Sequence, residues 1–145
     1  MNREIKFRAW DEENKTMHDL VGFLSFKEFT EIHYGASGYK IFQPNKIVLL
    51  QYTSLKDKND KEIYKGDIIS IKYARSSEDI ENCVDNRTPC IGFVTWDEYS
   101  TGWIIETRSP LSSNGRGTVM TSIICNGDGE REVIGNIYEH KHLLE

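Results

Sequence analysis

The sequence predicts a mainly β, barrel-like fold with one short helix near its N-terminus. Three observations carry that prediction. Apolar and polar residues alternate with a period of two in several short runs, such as Ile5-Lys6-Phe7-Arg8-Ala9-Trp10, as a half-buried strand requires. Polar or glycine-containing turns separate those runs. Only one segment, Leu24–Phe29, has the pattern of a helix start.

Taken in order, Ile5–Trp10 reads as a strand, Asp11–Lys15 as a polar turn, and Thr16-Met17 as the start of a return strand. In Leu24-Ser25-Phe26-Lys27-Glu28-Phe29, Ser25 and Glu28 make a capping box, and Leu24 and Phe29 take the staple positions. Gly35 and Gly38 would stop this helix, whose buried face would be Phe26, Phe29 and Ile32. Lys46–Tyr52 is apolar and β-branched and reads as a central strand. Lys56–Lys61 is a polar loop in which Asn59-Asp60 suits a tight turn.

Ile68–Tyr73 is the next strand, and Ala74–Pro89 a surface excursion with one helical turn near Ser77–Glu81. Ile91–Trp96 and Gly102–Thr107 read as a hairpin across Asp97–Thr101. Ser109–Gly117 has the composition of a flexible loop. Val119–Cys125 and Glu132–Tyr138 read as two closing strands, with Asn126–Gly129 turning between them.

A chain of 145 residues fits one domain, or two lobes with a hairpin and helix in 1–50 and a barrel-like lobe in 51–145. Hydrophobic residues at 38% and charged residues at 28% describe a globular protein. The charged opening Met-Asn-Arg-Glu is unlike a secretory signal. No apolar run approaches the roughly 18 residues of a membrane span. Three widely spaced cysteines, Cys83, Cys90 and Cys125, form no disulfide framework. The expected location is the cytoplasm. The net charge of −5 disfavours a protein that tracks nucleic-acid backbone.

Three segments resemble one known family in sequence and order. They are the opening Ile5–Asp11, the long run Leu50–Ile69 with Lys65-Gly66-Asp67-Ile68-Ile69 at its end, and the closing Val133-Ile134-Gly135-Asn136-Ile137-Tyr138-Glu139. Gly92–Trp96 with Gly102-Trp103 falls between the last two. The chain is similar to YopX-like proteins from temperate phages of Gram-positive bacteria. Ser54 and Asp60 stand where the family pattern suggests glycine. The resemblance implies a phage or prophage origin, a bacterial host cytoplasm and a β-rich fold. It implies no activity, because the family's function is unknown.

Candidate sites are few. Asp57–Lys61 resembles a calcium loop, but Lys61 and Glu62 occupy its fifth and sixth positions, where an EF-hand needs an oxygen ligand and glycine. Asn114–Thr118 lacks the lysine-hydroxyl pair of a phosphate loop. His140-Lys141-His142 would need an extended strand and further ligands to hold zinc. No cofactor or metal is expected. Gly66 and Asp67 read as a structural turn, with Asp67 held by backbone N–H groups.

The remaining signal is aromatic and basic. Trp10 and Trp96 are expected in the core. Tyr99, in a turn, and Trp103, after Gly102, are expected at the surface. With Tyr52, Tyr64, Lys56, Lys58 and Lys61 they form a speculative binding set. The preferred reading is a non-enzymatic protein-binding or adaptor module whose partner is a phage or host protein. The alternatives are a nucleic-acid-binding protein of phage replication or regulation, using Lys56, Lys58, Lys61 and Lys65, and an enzyme with an acidic site. Exposed strand edges also leave homo-oligomerisation open.

Overall fold

The computed structural model describes residues 4–72, 90–109, 117–122 and 130–145. The fold is mainly β, with three antiparallel sheets of four, five and three strands among the described residues. The chain divides into two compact units, Met1–Ser54 and Leu55–Glu145.

The first unit holds β1 (Phe7–Asp11), β2 (Thr16–Asp19), β3 (Gly22–Ser25), β4 (Thr30–Tyr34), β5 (Gly38–Phe42) and most of β6 (Ile47–Lys56). β1 lies between β2 and β6, antiparallel to both, with Ala9 opposite His18 on one side and Leu49 on the other. β3, β4 and β5 form a separate three-stranded meander. Alternation explains its packing. Thr30 and Ile32 of β4 are buried while Glu31 and His33 are half-buried on the other face. Ile32 then joins Ala9, Phe42 and Ile47 in a core lined by Leu20, Phe23, Tyr34 and Leu49. Each fully buried aliphatic side chain of this kind contributes about 1.5–3 kcal/mol.

The expected helix at Leu24–Phe29 is not formed. The segment is the end of β3, a tight turn and the approach to β4. The Phe26 N–H donates to the Phe29 carbonyl at 2.8 Å, and the Ser25 and Thr30 hydroxyls meet at 3.3 Å. The physical reason is length. A capping box offers one or two hydrogen bonds, whereas a lone helix shorter than about 12 residues is marginal in water. The β-branched, alternating Thr30–Tyr34 instead completes a ladder on both its edges. Phe26 is consequently half exposed against Phe29 rather than buried on a helix face.

In the second unit, β6 ends and turns into β7 (Glu62–Tyr64). β8 (Asp67–Lys72), β9 (Cys90–Asp97), β10 (Gly102–Ser109), β11 (Gly117–Ser122) and β12 (Glu130–Asn136) make one antiparallel sheet in the order β11-β10-β9-β8-β12. A single 3₁₀ turn, Lys141–Leu144, follows. The core is Ile63, Ile69, Ile71, Val94, Trp103 and Ile105, with Leu55 and Val133 packed against it. The predicted hairpin of β9 and β10 is present, with Trp103 opposite Trp96. The two closing strands occur but occupy opposite edges, β11 on β10 and β12 on β8. The helical turn at Ser77–Glu81, the loop Asn114–Arg116, the turn Asn126–Gly129, Cys83 and Cys125 lie outside the described residues.

Gly92 is required by close approach. A Cβ there would stand 2.5 Å from the Glu106 carbonyl oxygen and 2.7 Å from side-chain carbons of Ile105 and Thr107. Only a residue without a side chain lets β9 and β10 run this close.

Candidate functional site

The signature run Leu50–Ile69 is organised by two aspartates. Asp57 closes the turn after β6. Its Oδ1 accepts the N–H groups of Asn59 at 2.8 Å and Lys61 at 3.0 Å, and its Oδ2 accepts the Val133 N–H at 2.9 Å. Burial opposes its charge, but these three donors outweigh burial and hold the carboxyl below the usual carboxylate range. The Lys58 N–H donates to the Arg131 carbonyl at 2.9 Å, and Lys58 Nζ stands 2.8 Å from Glu132 and 3.9 Å from Glu130. The turn is thus docked on β12. A calcium ion would find both Asp57 oxygens already occupied.

Asp67 does for the next turn what Asp57 does for the first. It is buried, and its Oδ2 accepts the Tyr64 N–H at 2.8 Å. Gly66 between them has φ 85°, the left-handed region that glycine enters without steric cost. Its N–H donates to the Val94 carbonyl at 2.8 Å, and its carbonyl accepts the Ile137 N–H at 2.9 Å. Gly66 therefore joins the signature run to β9 and to the C-terminal segment.

Other polar side chains repeat the pattern. The Asp97 carboxylate accepts both the N–H and the hydroxyl of Ser100, and these bonds lower its pKa. Asn136 accepts the N–H groups of Tyr138 and Glu139 through Oδ1. In the first unit Asp11 is fully buried. It accepts from the Glu13 and Asn14 backbones, the Asn14 side chain at 2.7 Å and Lys40 Nζ at 3.1 Å. Burial works against its charge, yet those hydrogen bonds win and push its pKa far below the ordinary value. These side chains are committed to building turns.

The speculative binding set is not one surface. Tyr99 is fully exposed in the β9–β10 turn. Trp103, expected at the surface, is 6% exposed, while Trp96, expected in the core, is 42% exposed. The two rings meet edge to face at 5.2 Å. Both sit on the core-facing side of their strands, but Trp96 lies at its end and covers Trp103 from solvent. Tyr52 and Tyr64 are also buried, at 5% and 8% exposure, so neither ring offers a stacking platform. Lys56 pairs with Asp60 at 3.0 Å and Lys58 with Glu132. Those carboxylates offset the basic edge that Lys56, Lys58, Lys61 and Lys65 were expected to make.

His140 and His142 lie in and beside the 3₁₀ turn rather than on an extended strand, with ring centroids 6.3 Å apart. His140 packs on Gly135, whose Cβ would stand 2.8 Å from the ring, and its Nδ1 accepts the Asn136 N–H at 3.3 Å. Among the described residues no group of three or more His, Cys, Asp or Glu side chains is placed to hold a metal ion. Among the same residues no helix is long and apolar enough to cross a membrane.

Two of the motifs that drew the resemblance, Leu50–Ile69 and Val133–Glu139, meet where Asp57 binds Val133 and Gly66 binds Ile137. The YopX protein family model matches residues 6–145. The chain belongs to the YopX protein family. Among solved structures this YopX chain is similar to the crystal structure of protein EF1440 from Enterococcus faecalis. The identity is 22%, the TM-score is 0.59, and the match covers 99% of this chain and 100% of that one. That likeness is one of fold. No curated protein matches.

Sequence reasoning missed one surface altogether. The outward face of β3, β4 and β5 carries Leu24, Glu31, His33, Tyr39 and Ile41, with Leu24, Tyr39 and Ile41 each more than half exposed. The alternation Tyr39-Lys40-Ile41-Phe42 was the available signal. The helix expected at Leu24–Phe29 hid it by removing β3.

Proposed function

We propose that this YopX protein is a non-enzymatic protein-binding or adaptor module of a phage or prophage, acting in the host cytoplasm on a phage or host protein. The observation that carries this reading is the exposed aromatic pair Trp96 and Tyr99, 42% and 98% accessible at one end of the β9–β10 hairpin. Tryptophan and tyrosine are the residues most enriched among energetic anchors of protein interfaces. The commitment of Asp11, Asp57, Asp67 and Asp97 to turns supports a binding role over acid–base chemistry. The net charge of −5 and the acidic partners of Lys56 and Lys58 favour a protein over a nucleic acid.

Affinity capture from cells of the phage host, with and without nuclease, tests this. The expected result is a protein retained after nuclease and lost with the Trp96→Ala/Tyr99→Ala variant. Capture that disappears on nuclease treatment refutes the reading and points to nucleic acid.

A further inference from the structure

The outward face of the β3–β4–β5 meander is built in two rows. Strand register sets Gly22, His33 and Tyr39 side by side in one row and Leu24, Glu31 and Ile41 in the next. Leu24 is 52%, Tyr39 62% and Ile41 55% exposed. In the middle of the face Glu31 and His33 stand side by side, with His33 Nε2 2.7 Å from Glu31 Oε1. The His33 ring stacks on Tyr39 at 6.0 Å. At Gly22 the face carries no side chain, and a Cβ there would meet nothing within 4 Å.

This pattern is complementary to itself. Consider a two-fold axis lying along the face, across the strands and midway between the rows. It sets each row of one copy over the other row of its partner. Glu31 then faces His33 of the second copy, and His33 faces its Glu31. Tyr39 lies over Ile41 of the second copy, and Leu24 over the open space at Gly22. Every element of the face meets its complement, as an isologous contact requires. Two sheets stacked about 10 Å apart in this way bury their facing side chains between them.

Charge supports the same occupant. Residues 1–54 carry seven Lys/Arg and seven Asp/Glu, which leaves 11 basic and 16 acidic side chains, the whole formal charge of −5, in 55–145. The first unit can therefore meet its own copy without net repulsion, which the acidic second unit cannot.

We infer that the β3–β4–β5 face is a self-docking surface through which two copies of this chain associate, with reciprocal Glu31–His33 pairs at its centre. Three strands about 4.8 Å apart make a small face, below the roughly 800 Å² per partner of a standard interface. The association is therefore weak and depends on concentration.

Sedimentation equilibrium of the full chain from about 5 μM to about 500 μM, a range that brackets weak dimers, tests this. The average mass is expected to rise toward twice the monomer mass. Ile41→Lys lowers the association constant at least tenfold while leaving the melting temperature unchanged. Glu31→Lys and His33→Glu are each monomeric alone, and mixing the two restores a dimer, because each then supplies the charge that the other lacks. A monomer across the whole range overturns the proposal. So does an Ile41→Lys dimer as tight as the wild type, or a mixture of folded charge variants that stays monomeric.

Discussion

Replacing Asp57 by alanine removes the acceptor for three backbone N–H groups at once, those of Asn59, Lys61 and Val133. A hydrogen bond to an ionised acceptor contributes about 1.5–3 kcal/mol, and a buried donor left unpaired costs a similar amount. Asn59 and Lys61 are exposed and can turn to water, so most of the cost falls on Val133. The expected loss is about 3 kcal/mol, or about 2 M in the urea midpoint at the slope usual for small domains. Asp57→Asn keeps one carbonyl oxygen for the turn but turns an amide N–H₂ toward the Val133 donor, so most of that loss is expected to remain.

The pH dependence has a definite sign. The Asp57 pKa is lowered in the folded state. Its contribution is present above the unfolded value near 3.9 and is lost as pH falls through the folded value. The gap between wild type and Asp57→Asn should therefore close below about pH 4. Urea unfolding followed by tryptophan fluorescence reads the midpoint, and amide hydrogen exchange reads Val133 directly. An alanine variant within about 0.5 kcal/mol of wild type, the ordinary scatter of surface substitutions, refutes this account. So does an unchanged Val133 protection factor.

Two further substitutions probe the backbone. Ser54 has φ 71° inside β6, a conformation that costs a non-glycine residue about 1 kcal/mol or more. Ser54→Gly should raise the urea midpoint by the equivalent of about 0.5–1 kcal/mol, and a lower midpoint contradicts this. Gly92→Ala forces a methyl group against the Glu106 carbonyl. It should cost about 3 kcal/mol or prevent folding, at the upper end of overpacking effects, as read by soluble yield and circular dichroism.

The strands were legible because alternation is a local property. The β1–β2 turn, the β9–β10 hairpin and the Gly66-Asp67 turn all fall where residue chemistry places them. The two departures from the family pattern also have a physical reading. Ser54 and Asp60 both adopt positive φ, 71° and 65°, so glycine would be the unstrained choice at each. What failed were inferences that need a tertiary neighbour. The capping box at Ser25 lost to a sheet that no six-residue window contains. Trp96 and Trp103 were assigned to the wrong sides because exposure depends on where a strand runs past its core. The outward face of β3–β5 was lost with the mistaken helix, and with it the surface that now carries the self-docking proposal.

The link from Asp57 to Val133 joins residues 76 positions apart, and β8, paired with β9 on one edge, is paired on its other edge by β12. During synthesis residues 1–54 are complete, core included, while that partner strand is still unmade. The chain can therefore acquire structure in two stages, since compact units commonly fold from the N-terminus as they emerge. Until β12 arrives, β8 has an unpaired edge, and the signature turn has a carboxylate with no strand to grip. Pairings so distant along the chain are also slow to form. The last sixteen residues thus act as a completion step, and a ribosome that stops before Glu130 releases a chain whose second sheet is open on that side.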